Sequence, residues 1–462
     1  MTFFSQRGTI KGKGGRMSLE KELKEKQKLQ RHSFHFPGHK GKWKTLYQDL
    51  ASLDTTETFG TDNLAKPEGI LKDAMEEISA IYKSHRTFFC MGGSTMGIYA
   101  GLYALSRPGD KVGVQRNAHR SVFQACELLN LKIEILDVEK NSDGLAKSLS
   151  VESLKKAENL DILVVTSPSY YGFLAPMEEI MDYAQDKKVK VLVDEAHGGH
   201  LPFFKKEASA LNFGADIVVH SVHKMLPGLT STALVHSGPR VDEKKLQRGL
   251  NLFTTTSPSY LMMVSIDKAV HWMNENGREK LQELGAYLKL KEEELKEAGV
   301  HLVEDPEKDP FKVLMEVPGY GGKDLYDRLF YDYGLAMEMY DNRFVLAVVT
   351  AFDDKEDLDA LVEGVKSLEK RPPLKRTWPR ELVLEERNLT IDRRSGGEKS
   401  LYYKEALGYR ALDFITPYPP GIPIIFPGQK IGPDHIKTIE DYLKEGIHLE
   451  GLDQKERMEV MD

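Results

Sequence analysis

From Arg86 to Val235 the chain alternates short apolar, β-branched runs with segments of helical periodicity. The runs are Thr87-Phe88-Phe89-Cys90, Val112-Gly113-Val114, Ile133-Glu134-Ile135-Leu136, Ile162-Leu163-Val164-Val165, Val189 to Val193, Ile217-Val218-Val219 and Ala233-Leu234-Val235. Apolar strands separated by helices predict an α/β layer on a mostly parallel seven-stranded sheet. A Leu-, Lys- and Glu-rich helical pattern from about Leu261 to Ala298 predicts a bridge to a second lobe. There the order is strand (Lys312 to Val317), helix (Lys323 to Tyr333), strand (Phe344 to Val349) and helix (Asp357 to Leu368), a small α+β unit. Arg371-Pro372-Pro373 breaks the pattern and Arg393 to Lys399 is a polar loop, so a third segment begins near residue 374.

The expected organisation is an N-terminal arm (1–35), a large domain (36–265), a bridging helix with a small domain (266–373) and a C-terminal domain (374–462). Within the arm, Ser18 to Gln30 has helical propensity with a thin stripe of Leu19, Leu23 and Leu29, which suits a docking helix. Lys11-Gly12-Lys13-Gly14-Gly15-Arg16 directly precedes Met17 and can be encoded almost entirely by purines. Residues 1–16 are therefore either a ribosome-binding stretch read through as protein or a disordered basic arm.

Composition narrows the function classes. The chain has 462 residues and a net charge of -7 with both signs interspersed, so no basic face is expected for a nucleic acid. Two cysteines, Cys90 and Cys126, support neither a disulfide framework nor a Cys-based metal site, and suit a reducing cytoplasm. No apolar run approaches the roughly 20 residues of a membrane helix. No metal site is expected.

Chemistry-bearing residues cluster at strand ends, where open parallel sheets bind ligands. Met91-Gly92-Gly93-Ser94-Thr95-Met96-Gly97 follows one strand and opens a helix: its glycines let backbone N–H groups approach an anion, and Ser94 and Thr95 add hydroxyls. A capped strand-to-helix turn would look the same. No Lys follows at P-loop spacing. Asp194 ends an apolar strand in Asp194-Glu195-Ala196-His197, where a carboxylate needs a cation, and a protonated pyridine nitrogen would serve. A metal site with His197, or a helix cap, are the alternatives. Ser221-Val222-His223-Lys224 ends another strand with a lysine that partial burial would turn into a nucleophile toward an aldehyde, although lysines at strand ends are usually solvated. His119 in Asn117-Ala118-His119 is placed to stack on a flat cofactor or simply to hydrogen-bond in a helix-start turn. Ser167 to Gly172 is a turn or an active-site wall.

Together with Phe36-Pro37-Gly38-His39-Lys40-Gly41, Thr254-Thr255-Thr256-Ser257-Pro258-x-Tyr260 and Tyr418-Pro419-Pro420-Gly421-Ile422-Pro423, these segments make the chain resemble the bacterial Orn/Lys/Arg decarboxylase family. The resemblance covers nearly the whole chain. It implies a fold-type-I, aspartate aminotransferase-like large domain and pyridoxal 5'-phosphate as cofactor. Lys224 would carry the cofactor as a Schiff base and Asp194 would hold its ring nitrogen protonated. Gly93, Ser94, Thr95, Ser221 and His223 would hold the phosphate, His119 would stack on the ring, and Ala196 and His197 would line its pocket. Thr255 would reach the partner subunit's cofactor, which makes a homodimer or tetramer with composite sites the expected assembly. Two departures stand out: the entry motif begins near residue 36, so a wing domain like that of the long enzymes is not expected, and the family's Pro-Gly-Glu is Pro427-Gly428-Gln429 here.

The implied reaction is decarboxylation of a basic L-amino acid, arginine to agmatine first, with lysine or ornithine as alternatives. Lys224 or His223 would return a proton to the α-carbon. Glu338, Asp341 and Asp62 are the acids considered for the substrate's cationic end, each equally readable as surface charge. Rival readings are an aminotransferase or lyase, a regulatory pseudoenzyme, and a metal hydrolase using Asp194, His197 and His223.

Overall fold

The computed structural model describes residues 28–40, 42, 53–58, 60–374, 388–389, 391, 397–418 and 421–461. The proposed arm before residue 28, Gly41, Pro419, Pro420 and most of the polar loop at 393–399 lie outside the described residues. The chain enters with β1 (His32–Phe34) and helix α1 (Ile70–Tyr82). The seven expected strands follow as β2 (Arg86–Cys90), β3 (Lys111–Gln115), β4 (Lys132–Leu136), β5 (Ile162–Thr166), β6 (Lys190–Asp194), β7 (Ile217–Ser221) and β8 (Ala233–Ser237).

All seven lie in one sheet. Pairings β4/β3, β3/β5, β5/β6 and β6/β7 are parallel, whereas β8 is antiparallel to both of its neighbours, β7 and β2. Two reversals leave β2 pointing the same way as β7. The carboxyl ends of β2, β3, β5, β6 and β7 therefore share one edge, and the start of β8 joins them there. An eighth strand (Asn388–Leu389) comes from the C-terminal segment and pairs antiparallel with β4. It was not expected, because two residues carry no periodicity to detect.

Helix α2 (Gly93–Leu105) lies across the sheet, and its glycines make that close approach possible. A Cβ on Gly97 would stand 2.8 Å from Val219 Cγ1 and 3.0 Å from Val235 Cγ2, and one on Gly101 would stand 2.6 Å from Leu192 Cδ1. The bridge expected as one helix is α-helix Tyr260–Trp272, a π-turn at Met273–Gly277 and α-helix Arg278–Glu297. The boundary drawn at 265/266 falls inside the first of these. The small lobe is a four-stranded antiparallel sheet of His301–Leu302, Lys312–Glu316, Val345–Val348 and Met339–Tyr340. Its helices are Gly322–Tyr331 and Lys355–Lys366, the latter opened by an Asp354/Asp357 capping box. Leu335–Met337 pairs parallel with β1, tying the N-terminal segment to this lobe.

The C-terminal segment has its own core around Tyr403, Ile425, Ile439 and Val460. It docks on the large sheet through the buried Arg116, whose guanidinium donates to Pro423 O at 2.7 Å and covers the Phe426 ring at 4.9 Å. Arg120 pairs with Glu450 beside it. Gly97→Val should overpack the α2–sheet contact and cost about 1–3 kcal/mol. Thermal unfolding checks this, with a lowered midpoint expected.

Candidate active site

The shared strand edge opens into a cleft of about 620 Å³, closed on its far side by Phe36 and Pro37, by Glu338 of the small lobe, and by Tyr418 and Ile422 of the C-terminal segment. Each wall follows from local sequence. After β2, the turn at Gly92-Gly93 starts α2 with Gly93 at φ +68°, its N–H bonded to Ser231 O at 2.7 Å. The first turn of α2 has no acidic residue and no side-chain cap, and Ser94 and Thr95 face the cleft. Ser221 Oγ donates to Ser94 Oγ at 3.1 Å. Thr230 and Ser231, in the turn that leads into β8, complete a hydroxyl-lined end.

Asp194 is buried, and its hydrogen bond comes from Ala196 N–H to Oδ1 at 3.2 Å. Burial raises its pKa, against the pull of the Lys224 charge and the Ala196 N–H. Lys224 is half-buried; the desolvation of its amine lowers its pKa, and Asp194 and Glu338 oppose the shift. His197 stands between two lysines, with Nε2 3.0 Å from Lys224 Nζ and Nδ1 2.9 Å from Lys312 Nζ. Its ring is clamped by Phe36 (centroids 5.6 Å apart) and Tyr170 (5.1 Å). Burial first, then the lysine charges, hold its pKa well below the usual imidazole value.

His119 combines both expectations for it. Its Nδ1 accepts from Ser121 N–H at 3.2 Å and so caps helix Arg120–Leu128, while its ring lines the cleft. The ring is backed by Gly421 (φ +82°), where a Cβ would come within 2.9 Å of His119 Nε2. Burial, with Lys224 and Arg120 adding, brings its pKa down to about 3, so it is neutral. His223 Nδ1 donates to Thr232 O at 3.2 Å, which makes Nε2 the bare lone pair. Its pKa is brought down to about 4, by burial and then by Lys224.

The three acids separate cleanly. Glu338 faces the cleft, with Tyr170 O–H donating to Oε1 at 2.6 Å and Phe36 N–H to Oε2 at 3.1 Å. Asp341 does not line the cleft. It accepts from the Arg343 and Phe344 N–H groups in its own turn, and Tyr171 O–H reaches it at 3.4 Å. Asp62 is also away from this protomer's cleft: its carboxylate accepts from the N–H groups of Asn63, Glu68, Gly69 and Leu71, which keep it ionised as a structural cap. Of the three acids considered for the substrate's cationic end, Glu338 alone lines the cleft of this protomer, whereas Asp341 and Asp62 lie off it and hold turns of their own chain. Thr255 is exposed and away from this cleft, with its hydroxyl near Ser257 Oγ at 3.4 Å. Gln429, which stands where the resemblance led to the expectation of an acid, is buried and accepts from Phe426 N–H at 3.1 Å, a turn-holding role.

The metal-hydrolase alternative fails on His197, whose two nitrogens both face lysine amines. Among the described residues no group of three or more His, Cys, Asp or Glu side chains is disposed to hold a metal. No helix among them is long and apolar enough to cross a membrane.

A flat cationic heterocycle bearing an aldehyde and a phosphate fits what is present: an uncapped helix start with hydroxyls, an imidazole face, a desolvated lysine, and a buried carboxylate in need of a cation. Fold and site together define a fold-type-I pyridoxal phosphate enzyme. Residues 18–298 match the major domain of the Orn/Lys/Arg decarboxylases, and the chain belongs to that family. It is 30% identical to an uncharacterized protein, YaaO, of Bacillus subtilis, over 94% of this chain and 95% of that one. It is also 30% identical to an arginine decarboxylase of the same organism, over 93% and 94% of the two chains. Among solved structures, the Francisella novicida lysine decarboxylase LdcF superposes with a TM-score of 0.75 at 19% identity, over 87% of this chain and 73% of that one.

The sequence missed Lys312, Thr230 and Ser231. Nothing in their local pattern marks them, since their placement depends on which strands become neighbours. A carboxylate with a raised pKa in the folded state stabilises fully below its unfolded pKa and loses that contribution as pH rises through the folded value. As pH rises through that folded value, the apo-protein therefore loses the stability that the neutral Asp194 carboxyl contributes. Asp194→Asn should raise the apo melting temperature at neutral pH, with the gain vanishing in acid. It should also weaken pyridoxal phosphate binding by about 3 kcal/mol, roughly a hundredfold, because a buried charge partner is lost. Thermal unfolding with and without cofactor checks both.

Proposed function

We propose that this chain decarboxylates L-arginine to agmatine and CO2. The observation that carries the reading is Glu338, a carboxylate fixed at both oxygens on the wall of the cleft that also holds Lys224 and Asp194. A planar, bidentate donor such as guanidinium suits such a group. The arginine decarboxylase name of the Bacillus subtilis relative supports the same substrate.

In this reading Lys224 Nζ holds the cofactor covalently and Asp194 pairs with its ring nitrogen. His119 covers one ring face, while Ala196 and His197 line the ring's surroundings. Gly93, Ser94, Thr95 and Ser221 take the phosphate with the N–H groups of the α2 first turn, and His223 flanks it. When bound, the cofactor supplies an electron sink for the pair released as the bond from Cα to the carboxylate breaks. The protein's part is to orient the carboxylate for loss and to exclude water. Lys224, whose amine is biased toward its neutral form by desolvation, accepts a proton from the incoming ammonium group and returns one to Cα. His223 is the poorer donor, because its Nδ1–H is committed to Thr232 O and its Nε2 carries no proton.

A CO2-release assay with arginine, lysine and ornithine tests the substrate. Arginine should give the highest kcat/KM, and formation of a keto acid without CO2 would identify an aminotransferase instead. Glu338→Gln should cut kcat/KM for arginine by about 2–4 kcal/mol, roughly 30- to 1000-fold, through the lost charge pair. A cytoplasmic homodimer or tetramer is part of the proposal, with Thr255 presented to the neighbouring subunit's cofactor. Mixing inactive Thr255→Ala and Lys224→Ala proteins should then restore activity by forming one intact site per hybrid dimer. Mixtures that stay inactive while hybrid dimers form would remove Thr255 from the site.

A further inference from the structure

Lys312, the first residue of its strand, is fully buried, and its Nζ makes one hydrogen bond, to His197 Nδ1 at 2.9 Å. Among the described residues no carboxylate lies within ion-pair distance of it. The Phe36 and Tyr170 rings face it, with their centroids 4.8 Å and 5.8 Å from Nζ. Its stem passes over Gly172 (φ +97°), where a Cβ would stand 2.8 Å from both Lys312 Cβ and Cγ. A lysine has thus been given room to reach the back of the active-site imidazole, in a place where a cation is costly.

The protons around His197 can be counted. A neutral imidazole has one N–H and one lone pair, yet both of its nitrogens face a lysine amine. If both lysines were ammonium ions, one of them would point N–H groups at an N–H. Each amine can hold the proton only when the other does not.

We infer that Lys312, His197 and Lys224 form a proton relay in which Lys312 stores the proton that Lys224 gives up and takes back. In one state the Lys224 ammonium donates to His197 Nε2, and Nδ1–H donates to the neutral Lys312 amine. Transfer moves one proton from Lys224 Nζ to Nε2 and another from Nδ1 to Lys312 Nζ. That leaves Lys224 as a free amine accepting from Nε2–H, and Lys312 as the ammonium donating to Nδ1. No net charge is gained, and the imidazole has exchanged tautomers. Lys312 is a positioning residue, acting on the chemistry through His197.

The surroundings fit this use. Burial brings Lys312 down to about 7, with Glu338 and Asp309 supporting the cation and Lys224 and Lys40 opposing it. Asp309 is itself held against His200 at 3.2 Å, and Lys308 donates to the Lys312 carbonyl. Asp194 and Glu338 act on Lys224 from the other side, with His119 and His223 both neutral.

The inference rests on Lys224 being the amine that takes the cofactor, and the experiment separates the two claims. Apo-protein is mixed with pyridoxal phosphate, and the rate of the absorbance change is followed across the neutral pH range for wild type, Lys312→Met and Lys312→Arg. Lys312→Met removes the alternative proton site, so the midpoint should move up by about one pH unit, a tenfold change in proton affinity. Lys312→Arg fixes a permanent donor on Nδ1, keeps Nε2–H aimed at Lys224, and should move the midpoint down. Midpoints that stay put in folded variants overturn the relay, while a wild type that captures no cofactor overturns the role of Lys224 instead. Independently of any variant, 15N spectra of labelled histidine in the wild-type apo-protein should show His197 exchanging tautomers near neutral pH. A single tautomer throughout would also overturn the relay.

Discussion

Desolvation at the carboxyl edge of the large sheet is the constraint on which the rest of the structure depends. The same burial pushes Lys224 toward its neutral amine and Asp194 toward its neutral acid. Each group resists that shift by attracting the other, and the low local dielectric amplifies both effects. A solvated version of the same lysine would be a protonated surface cation with no nucleophilic character. Keeping water out is therefore the shared task of elements far apart in sequence. Gly38 lies so close under the Lys224 loop that a Cβ would meet the carbonyl oxygens of Lys224 and Leu226 at 2.6 Å, and its N–H bonds to His223 O. The C-terminal segment closes the opposite side by seating Gly421 against the His119 ring.

Two strand reversals explain why so many polar groups meet. A fully parallel sheet would bring only strand exits to the edge. Because β8 runs against its neighbours, its entrance arrives there too, carrying Thr230 and Ser231 to the hydroxyl cluster of Ser94, Thr95 and Ser221. The glycines of α2 let its first turn sit at the same level, by allowing the helix to lie directly on Val219 and Val235. Packing and ligand chemistry are one requirement at that point, since a helix standing further off would lift its N–H groups away from the hydroxyls.

The seven strands were legible because most are apolar runs buried on both faces, β4 alternating through Glu134 instead, and the Lys224 and Asp194 motifs were legible because they close such runs. What could not be read was anything decided by pairing. Glu338, Asp341 and Asp62 are equivalent as sequence, three acids near turns. Their placement in the folded chain distinguishes them: Glu338 stands on the cleft wall, while Asp62 and Asp341 hold backbone N–H groups of their own turns. Lys312 looks like the polar start of an ordinary strand, and its meaning appears once Gly172 and His197 are beside it. Asn388–Leu389 is too short to signal itself. The exposure of Thr255 is a fact about one protomer.

The charges concentrated at this edge also tie stability to occupancy. In the apo-protein, the buried Asp194 carboxyl has Lys224 as its main cationic influence, and Lys224 must share its surroundings with His197 and Lys312. A ligand that brings its own cation to Asp194 and its own anion to the α2 first turn satisfies groups that the folded chain alone leaves strained. Binding to the folded state only adds about 2.7 kcal/mol of stability at a hundredfold excess over Kd. That gain falls at the junction of three packed regions, because the cleft is walled by the N-terminal segment, the small lobe and the C-terminal segment as well as by the sheet. Occupancy should therefore tighten their mutual packing, so that the segments which keep the site dry are themselves held in place by what the site contains.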